Sequence, residues 1–415
     1  MNRGWIILGW ITLLCLIWVG AGCANRSQPG EGGREVLEPT PAVGERIPGA
    51  GGKVEEQTEP PAAPSPPSPE PEETVTTVRF AAVGDVLIHS SLYKDAKTED
   101  GYQFGPMFEL VKPFISRADF AMANQESMIG GEAIGLSDYP QFNSPFEIGT
   151  TLKEVGFEAV TIANNHTLDR GPQAILNAIG HWDSIGMIYT GAYRSKEDRE
   201  TLRIVEKNGI SMALLGYTYG TNGIPVPEGM DYLVSLIDPE QIVSDIEKAS
   251  RLADVTVLQL HFGTEYERMP NKQQKELAHQ LAEAGADLII GHHSHVLQPC
   301  EWIEREDGQR TFVIYSLGNF LSGQEGVYKE IGGILGLTIE KRVQGEQRTV
   351  TLLEPALLPT WTHKKNWRNY KILPLDQVTE QQLPGVAGYR QEIADHMTRW
   401  MPELKIISSG EVGGS

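Results

Sequence analysis

The feature that most limits how this chain can fold is the placement of its metal-capable residues, because five short segments each end a predicted β-strand on such a side chain. In order they are Asp85 with His89, Glu126, Asn165 with His166, His261, and His293 with His295. Six of the ten histidines fall in or beside this set. Neutral imidazole and carboxylate are the donors that borderline metals such as Zn²⁺, Mn²⁺ and Fe²⁺ prefer. Donors this far apart in sequence meet only if the fold gathers them. A parallel α/β sheet does so, since its strand ends open onto one edge.

The strands are read from β-branched and apolar runs. Residues 74–83 form such a run and end on Gly84-Asp85. Further strands are predicted at 120–124, 159–163, 211–215, 255–261, 287–290, 311–315 and 334–339. Helical patterns lie between several of them, at 172–184, 239–252 and 272–284. Strands alternating with helices predict a layered α/β fold. After about residue 359 the pattern loosens, and 379–400 reads as an amphipathic helix that packs on the domain or ends it. The expected organisation is a folded domain over 76–360 followed by an extension over 361–415.

Ahead of this domain lies a different kind of sequence. Arg3, the apolar run 5–21 and the small residues of Val19-Gly20-Ala21-Gly22-Cys23 predict a secretory signal over 1–23. The Gly-Ala-Gly-Cys ending resembles a bacterial lipobox, in which Cys23 carries lipid and begins the mature chain, although Gly20 stands where a bulky aliphatic residue is usual. A plain signal peptide and an uncleaved anchor are the alternatives. All three put the remainder outside the cytoplasm, and the first makes it a cell-membrane lipoprotein. Residues 24–75 are rich in Pro, Gly and Glu, and such a segment cannot bury enough apolar surface to offset its ordering entropy. It is expected to be a disordered tether. Of the three cysteines, Cys15 lies in the signal and Cys23 would be lipidated, leaving Cys300 alone as a small buried hydrophobe rather than half of a disulfide.

The net charge of -20 argues against a nucleic-acid binder, because phosphate contacts need clustered Lys and Arg. The local chemistry points elsewhere. At Asn164-Asn165-His166 a buried strand runs straight into amide, amide and imidazole, which are poor core residues unless they find polar partners or a metal. Asn165 can ligate while His166 acts as a general acid toward a leaving oxygen; a capping turn is the structural alternative. Gly291-His292-His293-Ser294-His295 packs three imidazoles into four positions. If that turn is extended, His293 and His295 point the same way and His292 points away. Taken alone, Asp85 reads as a commonplace strand-ending acid and Glu126 as a solvated loop acid.

These segments resemble a known family. Gly84-Asp85, Asn124-x-Glu126, Asn165-His166-x-Leu168-Asp169-x-Gly171, Tyr217-Thr218-Tyr219-Gly220-Thr221-Asn222-Gly223, His261-x-Gly263-x-Glu265-Tyr266, His293-x-His295-Val296 and Tyr315-Ser316-Leu317-Gly318-Asn319-Phe320 look like the CapA family of capsule and poly-γ-glutamate synthesis proteins. The resemblance covers about residues 78–358. It implies kinship with the calcineurin-like metallophosphoesterases, hence a four-layer α/β/β/α sandwich and two divalent metal ions, Mn, Zn or Fe. Carried over by position, Asp85, His89 and His295 would serve one metal, Asn165, His261 and His293 the other, with Glu126 bridging. His166 would donate the proton, and a water activated by the metals would attack. Two departures stand out: those enzymes carry Asp-x-His where this chain has Asp85-x-x-x-His89, and Glu126 replaces a shorter bridging Asp.

The resemblance also implies substrate. Tyr219, Asn222 and Glu265 fall where a substrate rim would lie. Beyond the family motifs, Trp361-Thr362-His363-Lys364-Lys365-Asn366-Trp367-Arg368 interleaves cations with aromatics in an acidic protein, so Lys364, Lys365 and Arg368 could dock a polyanion; a snorkelling surface face is the alternative. The expected partners are poly-γ-glutamate or a phosphoester substrate, the membrane through the lipid anchor, and other capsule-synthesis proteins. Enzyme, non-catalytic export or assembly subunit with a structural metal, and general surface phosphoesterase remain three open readings.

Overall fold

The alternation that marks residues 74–83 as a strand also sets which side chains face which layer, and β1 (Thr74–Leu87) follows it. Val78, Phe80 and Ala82 face one way while Ala81 and Val83 face the other. The structure, a computed structural model, describes residues 73–411. The signal and lipobox read at 1–23, Cys23 among them, lie outside the described residues, as does the tether up to residue 72. Among the described residues no helix is long and apolar enough to cross a membrane.

After β1 come α1 (Ser90–Ala96), a short ribbon of β2 (Lys97–Thr98) and β3 (Gly101–Tyr102), α2 (Gly105–Phe108) and α3 (Lys112–Ile115). Then follow β4 (Phe120–Gln125), α4 (Glu147–Val155), β5 (Ala159–Thr161), α5 (Gly171–Ser184), β6 (Ile188–Thr190) and α6 (Lys196–Glu200). The second half holds β7 (Arg203–Lys207), β8 (Ile210–Thr218), α7 (Pro239–Ser250), β9 (Val255–His261), α8 (Lys272–Glu283) and β10 (Leu288–His292). It closes with β11 (Leu297–Glu304), β12 (Arg310–Leu317), β13 (Asn319–Ser322), α9 (Val327–Glu330), β14 (Ile331–Gln344), β15 (Gln347–Lys365), β16 (Arg368–Pro374), α10 (Val386–Met397) and β17 (Lys405–Ile406).

Two sheets result. One runs β16-β15-β14-β1-β4-β5-β6, the other β11-β12-β10-β9-β8-β7. Their facing surfaces share a core in which Phe80, Phe120 and Met122 meet Leu214, Val257, Ile290 and Phe312. The outer face of the first sheet is covered by helices through Leu92, Phe108, Leu152, Ile175 and Trp182. The outer face of the second is covered by α7 and α8 through Ile242, Ile246, Ala278 and Leu281. This is a four-layer α/β/β/α sandwich. Within each sheet the central strands are parallel, β1 with β4 and β8 with β9 and β10, so their C-terminal ends share one edge.

The boundary expected at residue 360 falls inside β15. Residues 361–374 continue the first sheet, and α10 packs on β11, where Cys300 Sγ lies 3.7 Å from Met401 Sδ. Cys300 is buried, and that burial pushes its thiol up to about 12.

Candidate metal centre

β1 delivers its carboxylate through a bulge. The register with β4 shifts between Val83 and Asp85, so Val86 joins Val83 on the helix-facing side and Asp85 turns toward the second sheet. Gly84 makes this possible: a Cβ there would lie 1.9 Å from the carbonyl oxygen of Gly318. Gly291 is constrained in the same way against the Tyr315 carbonyl, also at 1.9 Å.

Around Asp85 the strand ends converge. Asn124 Nδ2, at the end of β4, donates to Asp85 Oδ1 at 2.8 Å and lies 3.3 Å from His261 Nδ1, at the end of β9. His261 Nε2 is 2.8 Å from Asn165 Oδ1 and 3.5 Å from Glu126 Oε1. His295 Nδ1 lies 3.2 Å from Asp85 Oδ2, 3.7 Å from Glu126 Oε2 and 3.0 Å from Asn319 Oδ1. Two sets of buried donors come within 4.8 Å of one another, Glu126 with His261 and His293, and Asp85 with Glu126 and His295. Glu126 belongs to both.

The loop after β10 departs from the extended turn read from its sequence. His293 and His295 both adopt positive φ, 92° and 58°. These values break the two-residue alternation, so the two rings sit 6.1 Å apart and serve different sets. His292 does not point to solvent. It is buried, its Nε2 2.9 Å from Gln259 Oε1 and its Nδ1 3.4 Å from Asp85 Oδ1.

His89 is brought into neither set. Its Nδ1 receives the backbone N–H of Gly323 at 3.1 Å, and its ring packs edge-on against Phe142 at 5.1 Å. Four residues past Asp85, it has left the strand and entered the cap of α1, whereas a two-residue spacing would have kept it at the strand end. Burial pushes its imidazole down to about 4.

His166 lies on the other side of Phe142, with ring centroids 4.7 Å apart. Its Nδ1 is 2.7 Å from Asp169 Oδ2, the same oxygen that accepts the Phe142 N–H at 2.7 Å. Asn222, at positive φ, accepts from Asn165 Nδ2 at 3.2 Å. The half-exposed Tyr219 lays its ring 4.6 Å from His293, and Glu265 sits exposed in the loop after β9. Lys364 is not a surface cation as its sequence context suggested: Glu330 Oε1 at 2.7 Å and the Gln324 carbonyl at 3.0 Å engage it. Lys365 and Arg368 are exposed, facing each other across the β15–β16 turn. Phe142 was given no role from sequence, while Asn124, Asp169 and Asn319 entered only within the family motifs and His292 only as pointing away from its neighbours. The two asparagines had a signal, as amides at the edge of apolar strands; Phe142 had none.

Electrostatics and bonding both suit a cation. Burial raises the Glu126 carboxyl well above the usual range. Burial works to raise Asp85 too, but His292 and His295 outweigh it and hold that group well below the usual range. Burial lowers His261 strongly and takes His293 down to about 3, keeping both imidazoles neutral and able to donate a lone pair. Both oxygens of Glu126, Asp85 Oδ2, His292 Nδ1 and His293 Nδ1 are buried without a hydrogen-bond partner. Each such group costs about 1–3 kcal/mol when nothing compensates it. A divalent cation compensates several at once, and carboxylate, imidazole and amide are the donors it takes.

The family described as "Bacterial capsule synthesis protein PGA_cap" matches residues 79–324. The chain belongs to this family. Every donor just described lies inside the matched stretch, and the cationic β15–β16 turn lies outside it. The PGA biosynthesis protein CapA of Bacillus subtilis (strain 168) is 30% identical over 250 residues, covering 58% of this chain and 62% of that protein. The capsule biosynthesis protein CapA of Bacillus anthracis is 28% identical over 254 residues, 58% of this chain and 59% of that protein. The chain thus spans about six-tenths of the length of these relatives. Among solved structures, the calcineurin-like phosphoesterase YfkN from Bacillus subtilis aligns with a TM-score of 0.36 at 17% identity, over 68% of this chain and 91% of that one.

Proposed function

We propose that this PGA_cap protein acts in the synthesis or export of capsular poly-γ-glutamate, with a two-metal, hydrolase-type site, and that it works outside the cytoplasm on a lipid-anchored tether. The observation that carries the site is Glu126, a buried carboxylate with both oxygens unsatisfied and shared by two donor sets. Asp85, Glu126 and His295 would hold one metal, and Glu126, Asn165, His261 and His293 the other. Divalent ions held there would polarise the scissile group and lower the pKa of water.

The remaining roles fall to the chain itself. Asp169 accepts from His166 Nδ1, which fixes the tautomer and orients the other ring nitrogen as the site of proton donation to a leaving group. Phe142, edge-on to both His89 and His166, keeps that side of the pocket dry. Tyr219 and Asn222 form a rim that positions substrate over His293 and Asn165.

Metal analysis of the purified protein, followed by turnover assays on poly-γ-glutamate and on a generic phosphodiester, tests the reading. Bound metal with cleavage of the polyamide supports it. Bound metal with neither turnover points to a non-catalytic assembly subunit, phosphodiester turnover alone to a general surface phosphoesterase, and no bound metal sinks the two-metal site.

A further inference from the structure

Beside His89, a cleft of about 330 Å³ opens between α1 and the β15–β16 turn, lined by Ser90, Ser91, Lys94, Asp95, Asn366, Trp367 and Arg368. Its walls are pinned together. Asp95 accepts the backbone N–H groups of Asn369 and Tyr370 at 2.9 Å each, and Ser91 Oγ meets Tyr370 OH at 2.7 Å. The one carboxylate of α1 is thereby spent on the hairpin backbone. The turn itself is a two-residue one, with Asn366 and Trp367 at positive φ, so Lys365 and Arg368 are directly opposite each other. Like charges so placed are destabilising. Among the described residues neither cation, nor Lys94, has a carboxylate partner, although neighbouring Lys364 and Lys371 do. In an acidic chain, two unneutralised cations lining the cleft, Lys94 and Arg368, with Lys365 opposite Arg368 on the hairpin, favour an external anion there.

The cleft is also next to the chemistry. Ser90 follows His89, whose ring touches Phe142, which in turn touches His166. We infer that this cleft is a carboxylate subsite, where Lys94 and Arg368, with Lys365 on the adjoining hairpin, hold successive carboxylates of an acidic polyamide. This rests on the polymer reading above and adds the place where the polymer is held.

Binding of a γ-linked oligoglutamate to the full chain, followed by titration calorimetry at fixed salt, tests the inference. Lys94→Glu with Arg368→Glu should bind about tenfold more weakly, the loss expected for one or two charge-assisted contacts. Lys272→Glu, which removes an exposed cation on α8, should stay within about twofold. Metal content should be unchanged in both. Unchanged affinity in the double variant, an equal loss in Lys272→Glu, or equally strong competition by polyphosphate would each overturn the carboxylate subsite while leaving the polymer reading intact. If the unaltered chain binds no oligoglutamate at all, the polymer reading itself fails and takes the subsite with it.

Discussion

His295 Nδ1 lies 3.2 Å from Asp85 Oδ2, a contact that ties the bulged end of β1 in one sheet to the loop after β10 in the other. The two residues share a site only because both backbones leave regular geometry, Asp85 at a register shift and His295 at positive φ.

Glu126→Gln keeps shape and removes charge. In chelator-treated protein it should be at least as stable as the parent, since the charge that burial disfavours is removed while the shape is kept. With metal present it should instead lose at least one bound equivalent and be less stable than the parent. Melting curves with and without chelator, together with elemental analysis, check the crossover, and a variant less stable in both states would sink the bridging role.

His89→Ala should leave metal content unchanged, because its Nδ1 is taken by the Gly323 N–H and it joins neither donor set. His292→Ala should weaken metal affinity about tenfold or more, as expected for a group that orients Asp85. Competition with a chromogenic chelator distinguishes the two. Equal losses would restore His89 to the ligand set.

His166→Ala should lower turnover about 10²- to 10⁴-fold with metal content retained. Asp169→Asn should give a smaller loss, because the imidazole stays but its tautomer is no longer held. A metal-depleted His166→Ala protein would show that the residue serves structure rather than proton transfer.

Gly84→Ala and Gly291→Ala should each cost about 3 kcal/mol or more, since each added Cβ would lie 1.9 Å from a backbone carbonyl oxygen that cannot swing away. Urea denaturation measures this. A cost below 1 kcal/mol, roughly that of an ordinary surface change, would mean the strand ends yield more readily than their packing indicates.

Asp198 provides a pH test outside the centre. Burial works to raise its carboxyl, but the Arg194 backbone N–H and the Arg203 guanidinium outweigh that and hold it below its ordinary value. The stabilisation is therefore complete above the ordinary carboxylate range and lost as pH falls through it toward the lower folded value. Asp198→Asn should cost about 2 kcal/mol at pH 7, with the gap to the parent closing below about pH 4. A gap independent of pH would assign the loss to packing.

The elements that were legible beforehand are those with strong local signals. The strand at 255–261 coincides with β9, and the helices at 172–184, 239–252 and 272–284 match α5, α7 and α8 to within two residues, because β-branched runs and capped amphipathic patterns are local properties. The long β14–β15–β16 meander was harder to see. Its β15–β16 turn sets Trp367 beside Asn366 at positive φ, which no usual turn dipeptide signals, and Lys364 is neutralised by Glu330 from a separate segment.

By itself, the sequence determined the layered α/β class, the donor types and their placement at strand ends, since periodicity and residue chemistry are written along the chain. Only the tertiary structure decided which donors meet. The bulge at Gly84 turns Asp85 toward the second sheet, positive φ at His293 and His295 separates two rings that an extended turn would have aligned, and two residues of extra chain carry His89 out of the cluster while His292 turns in. Those outcomes depend on where backbones from opposite sheets touch, and contacts between residues far apart in sequence leave no trace in local periodicity.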